Sequence, residues 1–229
     1  MKIGGYQKSS LIDYPGKVAA VVYTQGCSWR CPYCHNRSLV YPARFQPSTP
    51  EDNIFDHLDL KRGQLEAVVV TGGEPTLQTG LIDFFRRVRE MGYLTKLDTN
   101  GSHPNVLSSL LLENLLDYVA MDIKGPLKDY SHFAGCEVDT GPLELSMELI
   151  KQSNIRYEFR TTLVGGLHTG EHVKQLAPLM FGVRRYAVQT YRMPPSDFRS
   201  QPPFTPPDEE LIHAVGVALR DSVDEFVVR

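Results

Sequence analysis

The sequence predicts an α/β fold built on parallel strands, and three observations carry that expectation. Short β-branched runs alternate with longer segments of helical period six times over, the pattern of repeated strand–helix units rather than of hairpins. Most of the strand segments are continuous apolar runs, as strands buried on both faces should be. The 229 residues, 41% hydrophobic and 22% charged, suit one large domain with a sizeable core and argue against wholesale disorder or a fibrous repeat.

The elements follow in order. Strands are expected at Val18 to Tyr23, Ala67 to Thr71, Leu94 to Leu97, Tyr118 to Asp122, Tyr157 to Leu163 and Tyr186 to Gln189, with a last one at Glu225 to Val228. Between the first two, Ser48-Thr49-Pro50-Glu51 has capping-box spacing with Pro at the first helical position, which predicts a helix to about Arg62, stopped by Gly63. Leu81, Phe84, Phe85 and Val88 recur at helical spacing while Arg86, Arg87, Arg89 and Glu90 take the other face, and Gly92 ends that helix. Further helices fit Pro104 to Leu116, Pro142 to Gln152, Gly170 to Met180 and Asp208 to Asp221. Six prolines between Met193 and Pro207 make that stretch a loop, too short to separate domains. One domain over 1–229 is expected, its core at about 14–191 and a Pro-rich loop, helix and strand at 192–229. Right-handed crossovers curl such units into a parallel barrel or an open parallel sheet, and either places its site at the C-terminal ends of the strands.

Charge and termini narrow the class. Lys plus Arg total 24 against 27 Asp plus Glu, a net −3 with no long run of one sign, so a broad nucleic-acid-binding surface is not expected. The opening MKIGGYQKSSLIDYPG lacks the apolar stretch of a secretory signal, and no segment approaches the roughly 18 apolar residues of a spanning helix. A cytoplasmic protein without a membrane partner is expected. Three of the four cysteines, Cys27, Cys31 and Cys34, fall within eight residues while Cys136 stands far away, which reads as a ligand set rather than as disulfides.

The strand ends carry the polar residues. After the first strand, Cys27-Ser28-Trp29-Arg30-Cys31-Pro32-Tyr33-Cys34 is a C-x3-C-x2-C loop whose three thiolates suit one inorganic centre. A structural zinc site usually takes four ligands in paired spacing, and a ferredoxin cluster takes a fourth cysteine. A 4Fe-4S cluster on three cysteines keeps one iron open for a substrate; zinc completed by His35 or Cys136, or reduced thiols without metal, are the plainer readings. The second strand ends in Thr71-Gly72-Gly73-Glu74-Pro75, where glycines allow close backbone approach and a carboxylate suits an ammonium group, although such a run is by itself often only a turn. Leu97-Asp98-Thr99-Asn100-Gly101 and Met121-Asp122-Ile123-Lys124-Gly125 end the next two strands; lone Asp or Thr residues there commonly cap helices.

The cysteine loop, with an aromatic before its last cysteine and Gly-Gly-Glu-Pro on the next strand, resembles the radical S-adenosylmethionine (SAM) superfamily. Asp13-Tyr14-Pro15-Gly16, Cys34-His35-Asn36, Asp98-Thr99-Asn100-Gly101 and Asp122-Ile123-Lys124 are similar to the glycyl-radical activating enzymes, with the Ser-Leu-Ile-Asp-Tyr-Pro-Gly-Lys opening closest to those that activate anaerobic ribonucleoside-triphosphate reductase. The resemblance implies an α/β fold with a partial (β/α)6 barrel of parallel strands, in which Cys27, Cys31 and Cys34 ligate a 4Fe-4S cluster whose fourth iron chelates SAM. It implies that Gly72, Gly73 and Glu74 hold the methionine amino end, that the backbone around Tyr33 faces the adenine, and that Lys124 reaches the SAM carboxylate or ribose. Asp98, Thr99 and Asp122 match positions that in some relatives surround a monovalent cation, and Arg160 matches an arginine near SAM, where a plain interior ion pair is the competing account. Asp13, expected in a turn before the first strand, matches a position that binds the glycine loop of the protein partner. The implied partners are a glycyl-radical enzyme and a flavodoxin or ferredoxin as electron donor. Thr190-Tyr191-Arg192 departs from the Pro-Tyr-His of the pyruvate formate-lyase type, so that histidine's role does not transfer to Arg192.

Other conspicuous residues are expected to have ordinary roles. Cys136 reads as a buried thiol; His132, His168, His172 and His213 read as surface histidines; Arg86, Arg87 and Arg89 read as a solvated face, or as a dock for an acidic electron carrier. Trp29 either shields a cluster or touches a partner. Two rival functions remain: a radical SAM enzyme acting on a small deazapurine precursor, and a non-catalytic iron-sulfur or zinc protein of electron transfer or scaffolding.

Overall fold

The computed structural model describes residues 1–193 and 204–229. In chain order the elements are β1 (Ile3–Tyr14), β2 (Lys17–Thr24), α1 (Arg37–Val40), α2 (Glu51–Leu60), β3 (Ala67–Gly72), α3 (Leu81–Glu90), β4 (Leu94–Thr99), α4 (Pro104–Leu112), β5 (Tyr118–Asp122), α5 (Tyr130–Ala134), α6 (Gly141–Gln152), β6 (Arg156–Leu163), α7 (Gly170–Leu176), β7 (Val183–Thr190), α8 (Glu209–Leu219) and β8 (Val223–Val228). They fall into two compact units. The first comprises Met1–Ser28, Asn36–Ala120 and Pro142–Arg156, the second Trp29–His35, Met121–Gly141 and Tyr157–Arg229.

In the first unit β1, β2, β3 and β4 are neighbours in chain order. β2 pairs in parallel with β3 from Ala19↔Ala67 to Thr24↔Gly72, and β3 with β4 from Ala67↔Leu94 to Val70↔Leu97. Both β2 and β3 bury unbroken apolar runs, the signature of strands covered on two faces. Tyr14, Ala19, Val21, Ala67, Val69, Tyr118 and Ala120 pack together, and α3 buries Leu81, Phe84, Phe85 and Val88 as its periodicity predicts. In the second unit β6, β7 and β8 pair in parallel, Phe159↔Tyr186 to Leu163↔Thr190 and Val183↔Val223 to Val188↔Val228. Tyr33, Phe133, Val164, Leu167, Tyr191 and Phe204 form an apolar cluster there.

Every strand expected from sequence is present, and β1 is an addition. It pairs antiparallel with β2 through the Pro15-Gly16 turn, where Gly16 takes φ 71°, and its register slips between Gln7 and Ser10 and again before Tyr14. Such irregularities break the alternation that announces a strand, which is why Gly4 to Ser10 gave no signal. Asp13 therefore lies inside β1, not in a turn ahead of the first strand. The capping box at Ser48 is a second correction. Pro50 is the residue flanking α2 and makes no side-chain cap, because the Ser48 hydroxyl instead accepts the Ile3 N–H (2.9 Å) while Thr49 N–H bonds the Ile3 carbonyl (2.8 Å). α4 stops at Leu112, with Asn114 at φ 54° closing it, and α7 gives way after Leu176 to a tighter turn through Pro178, which has no N–H to continue the helix. Of the expected proline-rich loop, 194–203 lies outside the described residues; Thr205 beyond it bridges to Gly165. No helix among the described residues is long and apolar enough to cross a membrane.

Candidate functional site at the strand ends

In the first unit, the glycines after β3 meet backbone. A Cβ on Gly73 would stand 2.1 Å from the Gly26 carbonyl oxygen, and one on Gly72, at φ 116°, would stand 2.4 Å from the Thr24 nitrogen. Glu74 N–H donates to the Gly26 carbonyl (2.7 Å) and Gly73 N–H to that of Thr24 (2.9 Å). The two glycines thus let the segment leading into Cys27 lie directly on the end of β3, so the close approach expected of a ligand is made by the protein's own chain. Asn36 adds a side-chain bond to the Gly72 carbonyl (3.3 Å).

Glu74 is fully buried. Its Oε1 accepts the Thr76 N–H (3.1 Å), the Thr76 hydroxyl (2.5 Å) and the Thr99 hydroxyl (2.6 Å), and Oε2 accepts the Asn100 N–H (2.7 Å). Burial pushes this carboxyl above its ordinary range while those donors pull it back. The carboxylate braces the ends of β3 and β4 together. Asn100, a residue the sequence reading quoted without assigning it a role, also directs Nδ2 at the Cys27 sulfur (3.8 Å), its amide held by Ser102 N–H on Oδ1 (2.9 Å).

Asp98 and Asp13 share a partner that sequence reasoning missed. Lys96, buried inside β4, reaches the Asp98 carboxylate (2.7 Å) and the Asp13 carbonyl (2.6 Å), while the Asp13 carboxylate takes the Ser10 hydroxyl. A lysine in the middle of an expected core strand was the available signal, since a buried ammonium needs a counter-ion.

In the second unit, Asp122 at the end of β5 faces two cations, Arg160 Nε at 2.8 Å and Lys124 Nζ at 3.0 Å. Burial alone would raise this carboxyl; Arg160 and Lys124 outweigh it and hold it at about 2. Burial opposes the Lys124 charge, yet Asp122 keeps that ammonium well above its usual value. The interior ion pair weighed for Arg160 is therefore present. With Asp98 on Lys96 and Asp122 on two cations, the monovalent-cation reading keeps only the family resemblance as support.

Cys31 and Cys34 are partly exposed, joined by a turn in which Cys34 N–H bonds the Cys31 carbonyl (3.0 Å). Tyr33 between them is buried among Phe133, Val164, Leu167 and Tyr191, and its hydroxyl has no hydrogen-bond partner among the described residues. His35 stacks on Tyr191 (5.0 Å between ring centres) and its Nε2–H donates to the Arg192 carbonyl (2.7 Å). Trp29 is buried edge-on against Tyr130 (5.4 Å).

Several expectations of ordinary roles change. Cys136 is half-buried, since it follows the exposed helix end at Gly135 rather than facing the core. His168 is buried, not on the surface: Nδ1 accepts Val164 N–H (3.1 Å), Nε2–H donates to the Lys124 carbonyl (3.0 Å), and burial lowers its pKa to about 4. His172 completes a capping box on Thr169 at the start of α7, and His132 and His213 are exposed as expected. Arg86 pairs with Asp83 and Glu113, Arg87 lies over the Phe55 ring, and Arg89 pairs with Asp117, so that face is tied down within the unit.

The model of the Radical SAM superfamily matches residues 21–180. A protein of Methanocaldococcus jannaschii, provisionally named a glycyl-radical enzyme activating enzyme, is 32% identical over 99% of this chain and 95% of its own length. The pyruvate formate-lyase 1-activating enzyme of Escherichia coli K12 is 31% identical over 54% of this chain and 52% of its own. Among solved structures, SuiB of Streptococcus suis bound to S-adenosylmethionine superposes with a TM-score of 0.71 at 14% identity, over 91% of this chain and 49% of that one. The chain thus spans nearly all of the archaeal relative and about half of the other two. The expected α/β class, parallel strands of the partial (β/α)6 type, stands on these findings.

Proposed function

Since the chain belongs to the radical SAM superfamily, matched over residues 21–180, we propose that it is the activating enzyme of a glycyl-radical enzyme, with anaerobic ribonucleoside-triphosphate reductase as the partner. The observation that carries this reading is the near full-length likeness to a protein named for that activity, coinciding with Asp13-Tyr14-Pro15-Gly16 and the three-cysteine loop.

The donor set fits the implied group. Three soft thiol ligands in one loop suit an iron-sulfur centre with an open position, all three are partly exposed, and the buried Tyr33 hydroxyl lacks a partner among the described residues. A 4Fe-4S cluster held by Cys27, Cys31 and Cys34 would supply the electron for reductive cleavage of SAM, and so the radical chemistry by which hydrogen is abstracted from the partner's glycine. The protein's own residues do the rest. Cys27, Cys31 and Cys34 are the ligands. The braced strand end at Gly72, Gly73 and Glu74 receives the amino end of SAM, with Thr99 and Asn100 keeping the Glu74 carboxylate in place. Lys124, with its charge secured by Asp122, meets an anionic or hydroxyl group of SAM, and Arg160 keeps Asp122 ionised. The Tyr33 segment receives the adenine. Asp13 presents its carboxylate to the partner's glycine loop. A flavodoxin or ferredoxin delivers the electron. Burial of these polar groups excludes water, which strengthens each electrostatic contact.

The test is anaerobic reconstitution with iron and sulfide, reduction, addition of SAM, and chromatography for 5′-deoxyadenosine, with Cys34→Ala as control. Release by wild type alone, followed by a glycyl radical detected by EPR in the reductase, is the expected result. Release stimulated by a purine-like small molecule, with no radical in any protein partner, would move the chain to small-substrate chemistry, and a loaded protein that releases none would make it an electron carrier.

A further inference from the structure

Of the residues a sequence reading singles out, the short helix α5 bears only the exposed His132, yet its buried positions tie two chemically important segments together. Its Tyr130 hydroxyl accepts the Lys124 N–H (3.0 Å), and the same ring meets Trp29 edge-on at 5.4 Å. Phe133 occupies the space a side chain on Gly125 would need, since a Cβ there would fall 2.3 Å from its ring, and it packs on His168 at 4.9 Å. The Ala134 carbonyl accepts the Arg30 N–H (2.8 Å). Gly135 then ends the helix in the left-handed conformation, at φ 69°, and a Cβ at this position would stand 2.2 Å from the Arg30 carbonyl oxygen and 3.4 Å from the Cys31 nitrogen. α5 therefore contacts both the Asp122–Lys124 strand end and the backbone immediately before Cys31.

We propose that α5 is a spacer that sets the Cys31–Cys34 segment against Asp122 and Lys124, with Gly135 and Tyr130 as positioning residues for the reaction proposed above, on which this inference rests. The contact at Gly135 is backbone on backbone, so it has no flexible side chain to absorb a change. Any added carbon must move Arg30, and Cys31 with it. Displacements of about an ångström are enough to lower rates in positioned chemistry by orders of magnitude.

The experiment compares wild type with Gly135→Ala, Tyr130→Phe and, as control, Gly92→Ala, which has the same left-handed strain (φ 88°) with nothing within 4 Å. The first readout needs no cluster: alkylation rates of Cys31 and Cys34 in the metal-free protein, by peptide mass spectrometry. Gly135→Ala is expected to raise both about threefold or more over wild type and Gly92→Ala, because loosened backbone exposes thiols. The second readout is the EPR spectrum of the reduced, reconstituted protein before and after SAM. Gly135→Ala is expected to alter the spectrum before SAM is added. Tyr130→Phe is expected to leave it unchanged and to shrink the change SAM induces, with a raised KM for SAM. Gly135→Ala indistinguishable from Gly92→Ala in both readouts overturns the proposal. Should Gly135→Ala lack a folded circular dichroism spectrum, Tyr130→Phe decides, and a wild-type response to SAM in that variant overturns it. Faster alkylation in Gly135→Ala alongside a wild type that cleaves no SAM supports the spacer and removes the activating function.

Discussion

The side-chain amide of Asn100 donates to the sulfur of Cys27 across 3.8 Å, and the backbone N–H of the same residue donates to Glu74. Hydrogen bonds to cluster sulfurs stabilise the reduced, more negative state. Asn100→Leu should therefore lower the midpoint potential of the reconstituted cluster. An EPR-monitored redox titration that finds the potential unchanged would show that the bond is not made in the loaded protein.

Thr99 closes the bracing of Glu74 from β4. Thr99→Val keeps the shape and removes one donor from a buried carboxylate, a loss of about 1.5–3 kcal/mol. Urea denaturation should register it as a lower midpoint with an unchanged slope.

Gly73 is needed for space. Its added Cβ would overlap the Gly26 carbonyl, so Gly73→Ala should destabilise by about 1–3 kcal/mol through overpacking, whereas Gly63→Ala, with open surroundings, carries only the strain of its positive φ. Equal thermal midpoints for the two variants would refute the close approach.

Asp122 makes stability depend on acid. Its carboxyl is held at about 2 against an ordinary 3.8, so its contribution is complete above pH 4 and disappears as pH falls through about 2. For a carboxylate still partly open to solvent this amounts to about 1–2 kcal/mol. Arg160→Gln should lose most of it at pH 5, and the gap to wild type should narrow between pH 4 and 2 in urea titrations.

His168 acts in a higher window. Buried neutral, with its pKa lowered from 6.5 to about 4, it adds stability that is whole above pH 6.5 and is lost as pH falls toward 4, about 3 kcal/mol in all. His168→Gln should start less stable at pH 7 and show a shallower decline over that window; parallel curves would mean the imidazole is solvated.

The parallel strands were legible because burial on two faces demands apolar runs, and α3 because its period is unbroken. β1 was not, since an irregular edge strand has no periodicity to read. The cysteine loop and the four polar strand ends stood out as residue types; which of them touch did not. Lys96, Asn100, Tyr130 and His168 are of common type, and their importance comes from partners far along the chain: Asp13 for Lys96, Cys27 for Asn100, Trp29 for Tyr130, Lys124 for His168.

The amino-acid sequence by itself determined the order of the parallel strands from β2 to β8 and the longer helices between them, the three-thiol loop and the family, because periodicity and ligand spacing are local properties of a chain. Only the tertiary structure decided that Gly72 and Gly73 make room for backbone, that Glu74 is a brace, that Asp122 is held ionised by Arg160 and Lys124, and that α5 backs the cysteine segment. Those outcomes depend on distances between residues remote in sequence and on which charges lose water together, and neither is written in local spacing.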